Sequence, residues 1–396
     1  MNCSEGGLSM DIKSIDKEYV ASTYARFPLE IVSGKGSLVY DENGKEYIDL
    51  GTGIAVNTFG VSDDEWVAAV TEQLTKCQHT SNLFYSAPCA LLAKTLCERT
   101  GMKRVFFSNS GAEANETAIK VARKYAAEKK GSEYNTIITL KNSFHGRTIT
   151  TLAATGQDTF HKDFLPLTAG FVHAEPDDIA SVEALVKEYK VAAIMFELVQ
   201  GEGGVHALSP EFVKGLQKIA KENDILLVCD EVQTGNGRTG ELYAFMNYGF
   251  TPDIASTAKG LGGGLPIGAC MLGEKVKDTL TPGSHGSTFG GNPIAAAGAN
   301  NILSRIDEKL LAEVREKSNY IFTELSGAKG VKSVSGLGLM IGIETEKDAS
   351  DVIAKCRENG VIAIKAKHKV RLLPALNIPM HELQKAVAVI KAACAE

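Results

Sequence analysis

Ile225-Leu-Leu-Val-Cys229 is an uninterrupted apolar run that ends at the acids Asp230-Glu231. A short apolar run without alternation predicts a strand that is buried on both faces, as the strands of a parallel sheet are. A carboxylate directly after such a strand lies at the sheet edge where open α/β proteins bind ligands. Asp230 is therefore the first candidate site residue.

Similar apolar runs alternate with amphipathic helical patterns between about residues 103 and 272. The predicted strands are Arg104–Phe107, Asn135–Leu140, Val191–Phe196, Ile225–Cys229 and Ile267–Leu272, and the predicted helices are Glu113–Lys129, Asp178–Lys190 and Pro210–Asn223. This alternation predicts an α/β fold with a mostly parallel central sheet that helices cover on both faces.

The two ends of the chain have a different pattern. Residues 37–50 predict a β-hairpin around Asn43-Gly44, and a shorter α+β segment follows residue 300. We predict an N-terminal segment, residues 1–60, that contributes to a small domain. Residues 61–300 would form the large ligand-binding domain, and residues 301–396 the C-terminal small α+β domain.

Lys259 is the second candidate site residue. It precedes the glycine loop Gly260-Leu-Gly-Gly-Gly264. A lysine can form a Schiff base with the aldehyde of pyridoxal phosphate (PLP). An acid such as Asp230 can pair with the pyridine nitrogen of the same cofactor and keep it protonated. The pair therefore predicts PLP chemistry.

Several glycine-rich or polar loops follow predicted strands or precede predicted helices. Ser110 and Glu113 have capping-box spacing, and Gly111 opens a helix whose first amides suit a phosphate, although an ordinary capped helix explains the same pattern. Phe144 can stack on a flat ring, and Arg147 can bind a carboxylate. Glu197 follows a buried strand and is either a structural ion-pair partner or functional.

The glycine-dense loop Gly283–Asn292 precedes another predicted helix. It is either a helix-capping turn or a second phosphate-binding loop that acts through Thr288.

Composition argues against several functional classes. The 396 residues carry a net charge of −6 without any Lys/Arg run, which disfavours nucleic acid and anionic membranes as partners. No apolar stretch approaches the roughly 18 residues of a membrane span. The first ten residues lack the regions of a signal peptide, the eight cysteines are scattered, and the histidines form no metal spacing. These features predict a cytoplasmic protein without a metal.

The stretch Gly235-Asn-Gly-Arg-Thr-Gly240 matches G-x-G-x-x-G and leaves a nucleotide-binding dehydrogenase as an alternative. The glycines do not adjoin the preceding strand, and no strand with an acidic end follows about 20 residues on, as that fingerprint requires. A non-catalytic binding protein is a further alternative, against which the intact Asp230 and Lys259 argue.

From about Tyr24 to the C-terminus, the chain resembles the class III PLP-dependent aminotransferases of fold type I. Within that class it is most similar to the N-acetylornithine aminotransferases. The motifs that carry the resemblance are Gly53-Ile-Ala-Val-Asn57, Ser110-Gly-Ala-Glu-Ala-Asn-Glu116, Phe144-His-Gly-Arg-Thr148 and Gly286-Ser-Thr-Phe-Gly-Gly-Asn-Pro293. In ornithine aminotransferases a tyrosine that reads the free α-amine stands where this chain has Gly53-Ile54, which favours an N-acylated substrate.

The resemblance implies a role for each matching residue. Lys259 would hold PLP covalently and move the proton, and Asp230 would bind the ring nitrogen. The other implied cofactor contacts are phosphate amides from Gly111 and Ala112, Gln233 at the ring hydroxyl, Val232 and Phe144 on opposite ring faces, and Thr288 at the phosphate of the neighbouring subunit. The active unit would then be a homodimer with shared active sites.

The resemblance also implies how substrates bind. Arg147 and Ser287 would contact the acetylornithine end of the amino donor. Arg371 would hold the α-carboxylate of 2-oxoglutarate and glutamate, and Glu197 would pair with Arg371 when no such carboxylate is present. The implied reaction is transfer of the terminal amine of N2-acetyl-L-ornithine to 2-oxoglutarate in arginine biosynthesis.

Two departures from the family pattern leave the acyl group open, because Leu198 stands where many relatives have proline and Val61 where many have histidine. The alternatives within the fold are succinylornithine, 4-aminobutyrate or ornithine aminotransferase, or an aminomutase.

Overall fold

A seven-stranded sheet forms the centre of the computed structural model, which describes residues 11–396. Its strands, in spatial order, are Arg104–Ser108, Gly268–Leu272, Ile254–Thr257, Leu226–Asp230, Val191–Phe196, Thr136–Leu140 and Phe171–Ala174. All neighbouring strands are parallel except the two pairs formed by Gly268–Leu272. The predicted α/β fold with a mostly parallel central sheet is confirmed. The prediction about a signal peptide concerns residues 1–10, which lie outside the described part.

Helices cover both faces of this sheet. They are Asp64–Lys76, Ala87–Thr100, Gly111–Lys130, Ile149–Ala154, Ile179–Glu188, Pro210–Asn223, Ala244–Asn247 and Pro293–Arg305. Several begin at side chains that accept hydrogen bonds from free backbone amides, which satisfies donors that a helix leaves unpaired. Ser209 caps Phe212, and Asn292 caps Ile294 and Ala295 in this way.

Two smaller sheets join the ends of the chain. Strands Ile31–Lys35, Leu38–Asp41 and Glu46–Asp49 form the predicted hairpin region, and Val361–Ile362 pairs with the last of them in parallel. The second sheet has the order Val331–Leu337, Met340–Thr345, Lys369–Leu372, Ile364–Ala366. Around these sheets are the helices Ile12–Tyr19, Glu308–Leu325, Ala349–Glu358 and Met380–Ala395.

Short elements complete the connections near the sheet edge. These are the turn Thr52–Ala55, the two-stranded sheet Val199–Gln200 with His206–Ala207, and single 3₁₀ turns at Asp158–Phe160 and Lys259–Leu261. Within residues 11–396, no helix combines the length and apolarity needed to cross a membrane. The parallel strands place Asp230, Glu197 and the loop after Leu140 at one edge of the central sheet, where their side chains meet.

Candidate active site

A cavity of about 420 Å³ opens at the carboxyl ends of the parallel strands. This volume is within the usual range for sites that bind small molecules. Nine of the predicted site residues line it: Gly111, Ala112, Phe144, Arg147, Glu197, Asp230, Val232, Gln233 and Lys259. Arg371, Ser287 and Thr288 lie outside this lining.

Asp230 is fixed by three donors. Its Oδ2 accepts from the Asn115 amide at 2.7 Å and from His145 Nδ1 at 2.8 Å, and its Oδ1 accepts from the backbone N–H of Val232 at 3.0 Å. The His145 ring is fully buried, and its Nε2 has no partner among the described residues. A carboxylate oxygen accepts hydrogen bonds, so Nδ1 is the ring nitrogen that donates to Asp230.

Lys259 presents its amine to the same cavity from a strained backbone. Its φ of +46° lies in the left-handed region that non-glycine residues seldom adopt, and such strain is typical of functional sites. The pKa of the Lys259 amine is lowered to about 8, mainly by burial and also by the Arg371 cation, against the opposing effect of Glu202, Asp230 and Glu197. An amine with this pKa has a larger unprotonated fraction near neutral pH than an ordinary lysine, and this fraction can act as a nucleophile or base.

The start of helix Gly111–Lys130 forms one end of the cavity. Ser110 Oγ accepts from the Glu113 amide, and the Glu113 carboxylate accepts from the Asn109 amide, so the predicted cap is confirmed. Gly111 faces Val232 so closely that a Cβ would lie 2.6 Å from Val232 Cγ1. A glycine is therefore required for the helix start to lie this close to Val232. The backbone amides of the first helical turn face the cavity and can bind an anion there.

Phe144 and Val232 supply the apolar walls. Arg147, next to this region, is exposed and lies over the Phe160 ring at 4.0 Å and the Phe144 ring at 5.5 Å. No carboxylate among the described residues forms a salt bridge with it. Its guanidinium is thus held in place by aromatic contacts and keeps its donors for a ligand.

Arg371 pairs with Glu202, which corrects the prediction that Glu197 is its partner. Arg371 Nη1 donates to Glu202 Oε1 at 2.5 Å and to Gln233 Oε1 at 3.1 Å, and the arginine is only 2% exposed. Burial raises the pKa of Glu202, but the Arg371 cation and its hydrogen bond outweigh burial and lower that pKa below its ordinary value. The pair is therefore ionised, and Gln233 bridges it to the cavity.

Glu197 is held by backbone donors instead of a cation. Its carboxylate accepts from the amides of Phe144 at 2.8 Å and Gly201 at 3.2 Å. Burial raises the pKa of Glu197 to about 7, and the nearby Asp230 charge adds to this effect. The geometry makes Glu197 a brace between the Phe144 loop and the loop that carries Glu202.

Ser287 and Thr288 line a second cavity of about 930 Å³ instead of the Lys259 cavity of the same chain. Ser287 Oγ accepts from the Asn109 amide at 3.1 Å and from the Gly290 N–H at 3.0 Å, which fixes the loop. Thr288 is exposed. Two apolar side chains near it are also exposed: Leu83 (88%), which lines the same cavity, and the adjacent Phe289 (59%).

Three polar site residues lacked a predicted role: Asn115, His145 and Glu202. Asn115 and His145 lie within motifs that the sequence analysis singled out, and Glu202 follows the predicted contact Glu197 by five residues. Asn115 follows Gly111 by four residues and so shares its helix face, which is a usable signal. The choice between Glu197 and Glu202 depends on the path of an irregular loop, for which spacing gives no signal.

The groups in the Lys259 cavity fit PLP. An amine, a carboxylate with three hydrogen-bond donors, a helix start able to take a phosphate, and two apolar walls surround one space. Asn115 and His145 occupy one oxygen of Asp230 while the other has only one donor, so the carboxylate retains capacity to accept a ring N–H.

Comparison with known proteins agrees with this geometry. The family model "Aminotransferase class-III" matches residues 19–394. The chain belongs to the class III aminotransferases. This aminotransferase is 49% identical to the acetylornithine aminotransferase of Haemophilus ducreyi, over 96% of this chain and 98% of that one.

Solved structures of two related enzymes are also similar. An ornithine aminotransferase from Toxoplasma gondii, described with PLP at partial occupancy in its active site, has a TM-score of 0.92 and 34% identity, and covers 97% of this chain and 94% of its own. An N-acetylornithine aminotransferase from Stenotrophomonas maltophilia has a TM-score of 0.83 and 35% identity, with 96% and 97% coverage. The cofactor of this aminotransferase is PLP.

Proposed function

We propose that this aminotransferase moves the terminal amino group of N2-acetyl-L-ornithine to 2-oxoglutarate, giving N-acetylglutamate 5-semialdehyde and glutamate. The buried Lys259 amine in one cavity with Asp230 carries the assignment to PLP-dependent amino transfer. The acetylornithine aminotransferase relative at 49% identity supports the choice of donor. The pathway that this reaction serves is arginine biosynthesis.

PLP, when bound, withdraws electrons from the carbon beside the reacting amine and so eases removal of a proton there. Lys259 is the residue that takes and returns this proton, because its depressed pKa leaves it available as a base. Asp230 keeps the ring nitrogen protonated, while the amides of Gly111 and Ala112 bind the phosphate. Phe144 and Val232 enclose the ring and exclude water from its faces.

The Arg371–Glu202 pair offers a way to accept two different substrates. Acetylornithine reacts through its terminal amine, so the reacting carbon carries no carboxylate, and Glu202 keeps the buried Arg371 cation neutralised. Glutamate reacts at its α-amine, and its α-carboxylate replaces Glu202 as the partner of Arg371. A buried cation is costly without a partner, so the exchange requires Glu202 to be present in one half-reaction and displaced in the other.

Arg147 and Ser287 are the proposed contacts for the acylated end of the donor. Arg147 lines the cavity, and its guanidinium N–H groups can donate to the carboxylate of acetylornithine. Ser287 is held by Asn109, which itself lines the cavity. Both residues are thus proposed to bind the amino donor.

The test is an amino-donor panel with 2-oxoglutarate as acceptor. N-acetylornithine should give the highest kcat/KM, ahead of N-succinylornithine, ornithine and 4-aminobutyrate. Lys259→Ala should abolish turnover and the borohydride-reducible linkage to the cofactor. Preference for ornithine or 4-aminobutyrate would replace the proposed donor, and a colourless protein that binds NAD would overturn the whole assignment.

We further propose a homodimer with shared active sites, in which Thr288 binds the cofactor phosphate of the partner subunit. The exposed position of Thr288 beside exposed apolar side chains supports this arrangement, because such side chains favour burial against another surface. We also propose the cytoplasm as the location. The division into residues 1–60, 61–300 and 301–396 likewise stays a prediction.

A further inference from the structure

The backbone around Lys259 is held from two sides by buried side chains of distant segments. The carbonyl before it, of Ala258, accepts from the Asn236 side-chain amide at 3.2 Å. The carbonyl of the next residue, Gly260, accepts from the Thr58 hydroxyl at 2.8 Å. Asn236 and Thr58 are 3% and 2% exposed, so neither bond is shared with bulk solvent.

We propose that Asn236 and Thr58 are positioning residues that hold the strained backbone of Lys259 so that its amine enters the cavity. This inference rests on the proposed role of Lys259 in binding PLP. Neither residue lines the cavity, so both act through the lysine backbone.

Strain at Lys259 is the reason that such supports are needed. A non-glycine residue with a left-handed backbone is strained and persists only where the surroundings fix it. Relaxation of φ to the right-handed region would redirect the Cα–Cβ bond and move the amine. The Asn236 bond restricts the peptide plane between Ala258 and Lys259, which a change in φ of Lys259 would rotate, and the Thr58 bond fixes the peptide plane that follows Gly260.

Gly260 shows how closely the two supports approach. A Cβ at this position would lie 2.8 Å from Thr58 Oγ1 and 3.4 Å from Asn236 Cβ. The glycine after Lys259 is therefore the point where the two segments meet. Asn236 itself has a left-handed backbone, with φ of +58°, which asparagine tolerates better than most residues. Its amide also donates to Thr257 Oγ1 at 3.1 Å.

Both supports are anchored to the segment that follows Arg371. The carbonyl of Thr58 accepts from the Leu376 amide at 2.9 Å. Two residues after Asn236, the fully buried Arg238 donates to the carbonyls of Pro374 at 2.5 Å and Leu339 at 3.1 Å. The loop that resembled a dinucleotide fingerprint thus connects the lysine backbone to the strand that bears the carboxylate-binding arginine.

The test compares Thr58→Val and Asn236→Gly with the wild-type protein. Thr58→Val removes the hydroxyl at constant shape, and Asn236→Gly removes the amide without adding strain at a positive φ. Thr58→Ser restores the hydroxyl. Thr279→Val is the matched control, because Thr279 is also buried but does not hydrogen-bond to the backbone around Lys259 as Thr58 does.

Two readouts that do not depend on turnover decide the matter. The first is the dissociation constant of PLP from the apoenzyme, and the second is the pH midpoint for acetylation of Lys259 in the apoenzyme by acetic anhydride, followed by mass spectrometry. Thr58→Val and Asn236→Gly should each weaken PLP binding about tenfold, as expected for a lost buried hydrogen bond. The acetylation midpoint should rise, while Thr58→Ser and Thr279→Val should match the wild type.

The outcomes separate this inference from the proposed function. A wild-type protein that neither binds PLP nor links it to Lys259 refutes the function. A wild-type protein that does both, with Thr58→Val and Asn236→Gly unchanged in affinity and midpoint, refutes the positioning role alone. Denaturant unfolding of each apoenzyme identifies any variant that fails to fold, and the other variant then decides.

Discussion

The lowered pKa of the Lys259 amine can be measured directly in the apoenzyme. Burial is the main reason that the pKa of its amine falls to about 8 from an ordinary value near 10.5. We predict that acetylation of Lys259 in the apoenzyme has its midpoint near pH 8, well below that of the exposed lysines. Mass spectrometry after brief labelling across a pH series measures both in one sample.

The same shift has a consequence for stability. The unfolded chain retains a proton on Lys259 between about pH 8 and 10.5, whereas the folded apoenzyme has released it. The free energy of unfolding therefore rises with pH across this window. The contribution of Lys259 to it is lost as the pH falls through the same window. Lys259→Met should flatten this part of the pH dependence. An unchanged slope would contradict the depressed pKa.

Glu202 should affect the two half-reactions unequally. Its removal leaves Arg371 buried and unpaired, a state that truncation of one partner of a buried ion pair makes costly by about 3–5 kcal/mol. Glutamate supplies a replacement carboxylate and acetylornithine does not. We predict that Glu202→Ala slows the acetylornithine half-reaction at least about tenfold more than the glutamate half-reaction.

Single-turnover absorbance measurements with each amino donor test this prediction. Glu197→Gln is the matched control, because Glu197 lies in the same region but contacts backbone amides instead of Arg371. Equal losses in the two half-reactions of Glu202→Ala would contradict the exchange of partners at Arg371. A selective loss in Glu197→Gln instead would restore the role that the resemblance implied for Glu197.

Among the helices and strands, those with a clear pattern of apolar residues could be predicted from the sequence. Val191–Phe196 was predicted with its observed bounds because all six residues are apolar and buried. The strands Phe171–Ala174 and Ile254–Thr257 were missed, since the first is a half-buried edge and the second contains Ser and Thr. Helix Ala87–Thr100 was also missed, and its buried residues are few.

Candidate site residues followed the same rule. Residues at strand ends and helix starts, such as Asp230 and Gly111, could be predicted because regular elements fix where those points lie. The partner of Arg371 could not, because Glu202 reaches it through an irregular loop. In this loop Val205 is fully buried with φ of +53°, an unusual conformation for a β-branched residue.

The loop that carries Glu202 rests on a glycine of the C-terminal sheet. Gly342 is paired with Arg371 across two strands, and a Cβ there would lie 2.8 Å from Val205 Cβ. We predict that Gly342→Ala displaces this loop, lowers the unfolding free energy by about 1–3 kcal/mol and raises KM for 2-oxoglutarate. Denaturant unfolding and steady-state kinetics measure these effects.

Gly286→Ala is the control for that substitution. A Cβ at Gly286 meets nothing within 4 Å, so its stability should change by less than about 1 kcal/mol. If Gly342→Ala is as stable as the control and leaves KM unchanged, the contact between Gly342 and Val205 does not position the Glu202 loop.

At the scale of the whole molecule, the central question is where Thr288 acts. It lies outside the Lys259 cavity of its own chain, on a loop fixed by Ser287 and Asn109. The exposed apolar side chains of Leu83 and Phe289 lie near it, and a symmetric dimer would bury them while bringing each Thr288 to the partner subunit. Each active site would then need Lys259 from one subunit and Thr288 from the other.

Complementation between two inactive variants tests this arrangement. Thr288→Asp places a negative charge against the phosphate, and Lys259→Ala removes the amine, so each homodimer should be inactive. In a mixed dimer that shares its sites, one site combines both defects, and the other receives an intact Lys259 and an intact Thr288. Random pairing on co-expression should therefore restore about a quarter of wild-type activity.

The result distinguishes the two possible positions of Thr288 without any assumption about affinity. If Thr288 served its own subunit, every site in the mixed dimer would carry one defect, and co-expression would restore no activity. Light scattering after size-exclusion chromatography must first establish that each variant forms dimers as the wild type does. Differently tagged chains allow the mixed dimer to be isolated, and there the shared-site arrangement predicts about half of wild-type activity because one of its two sites is intact.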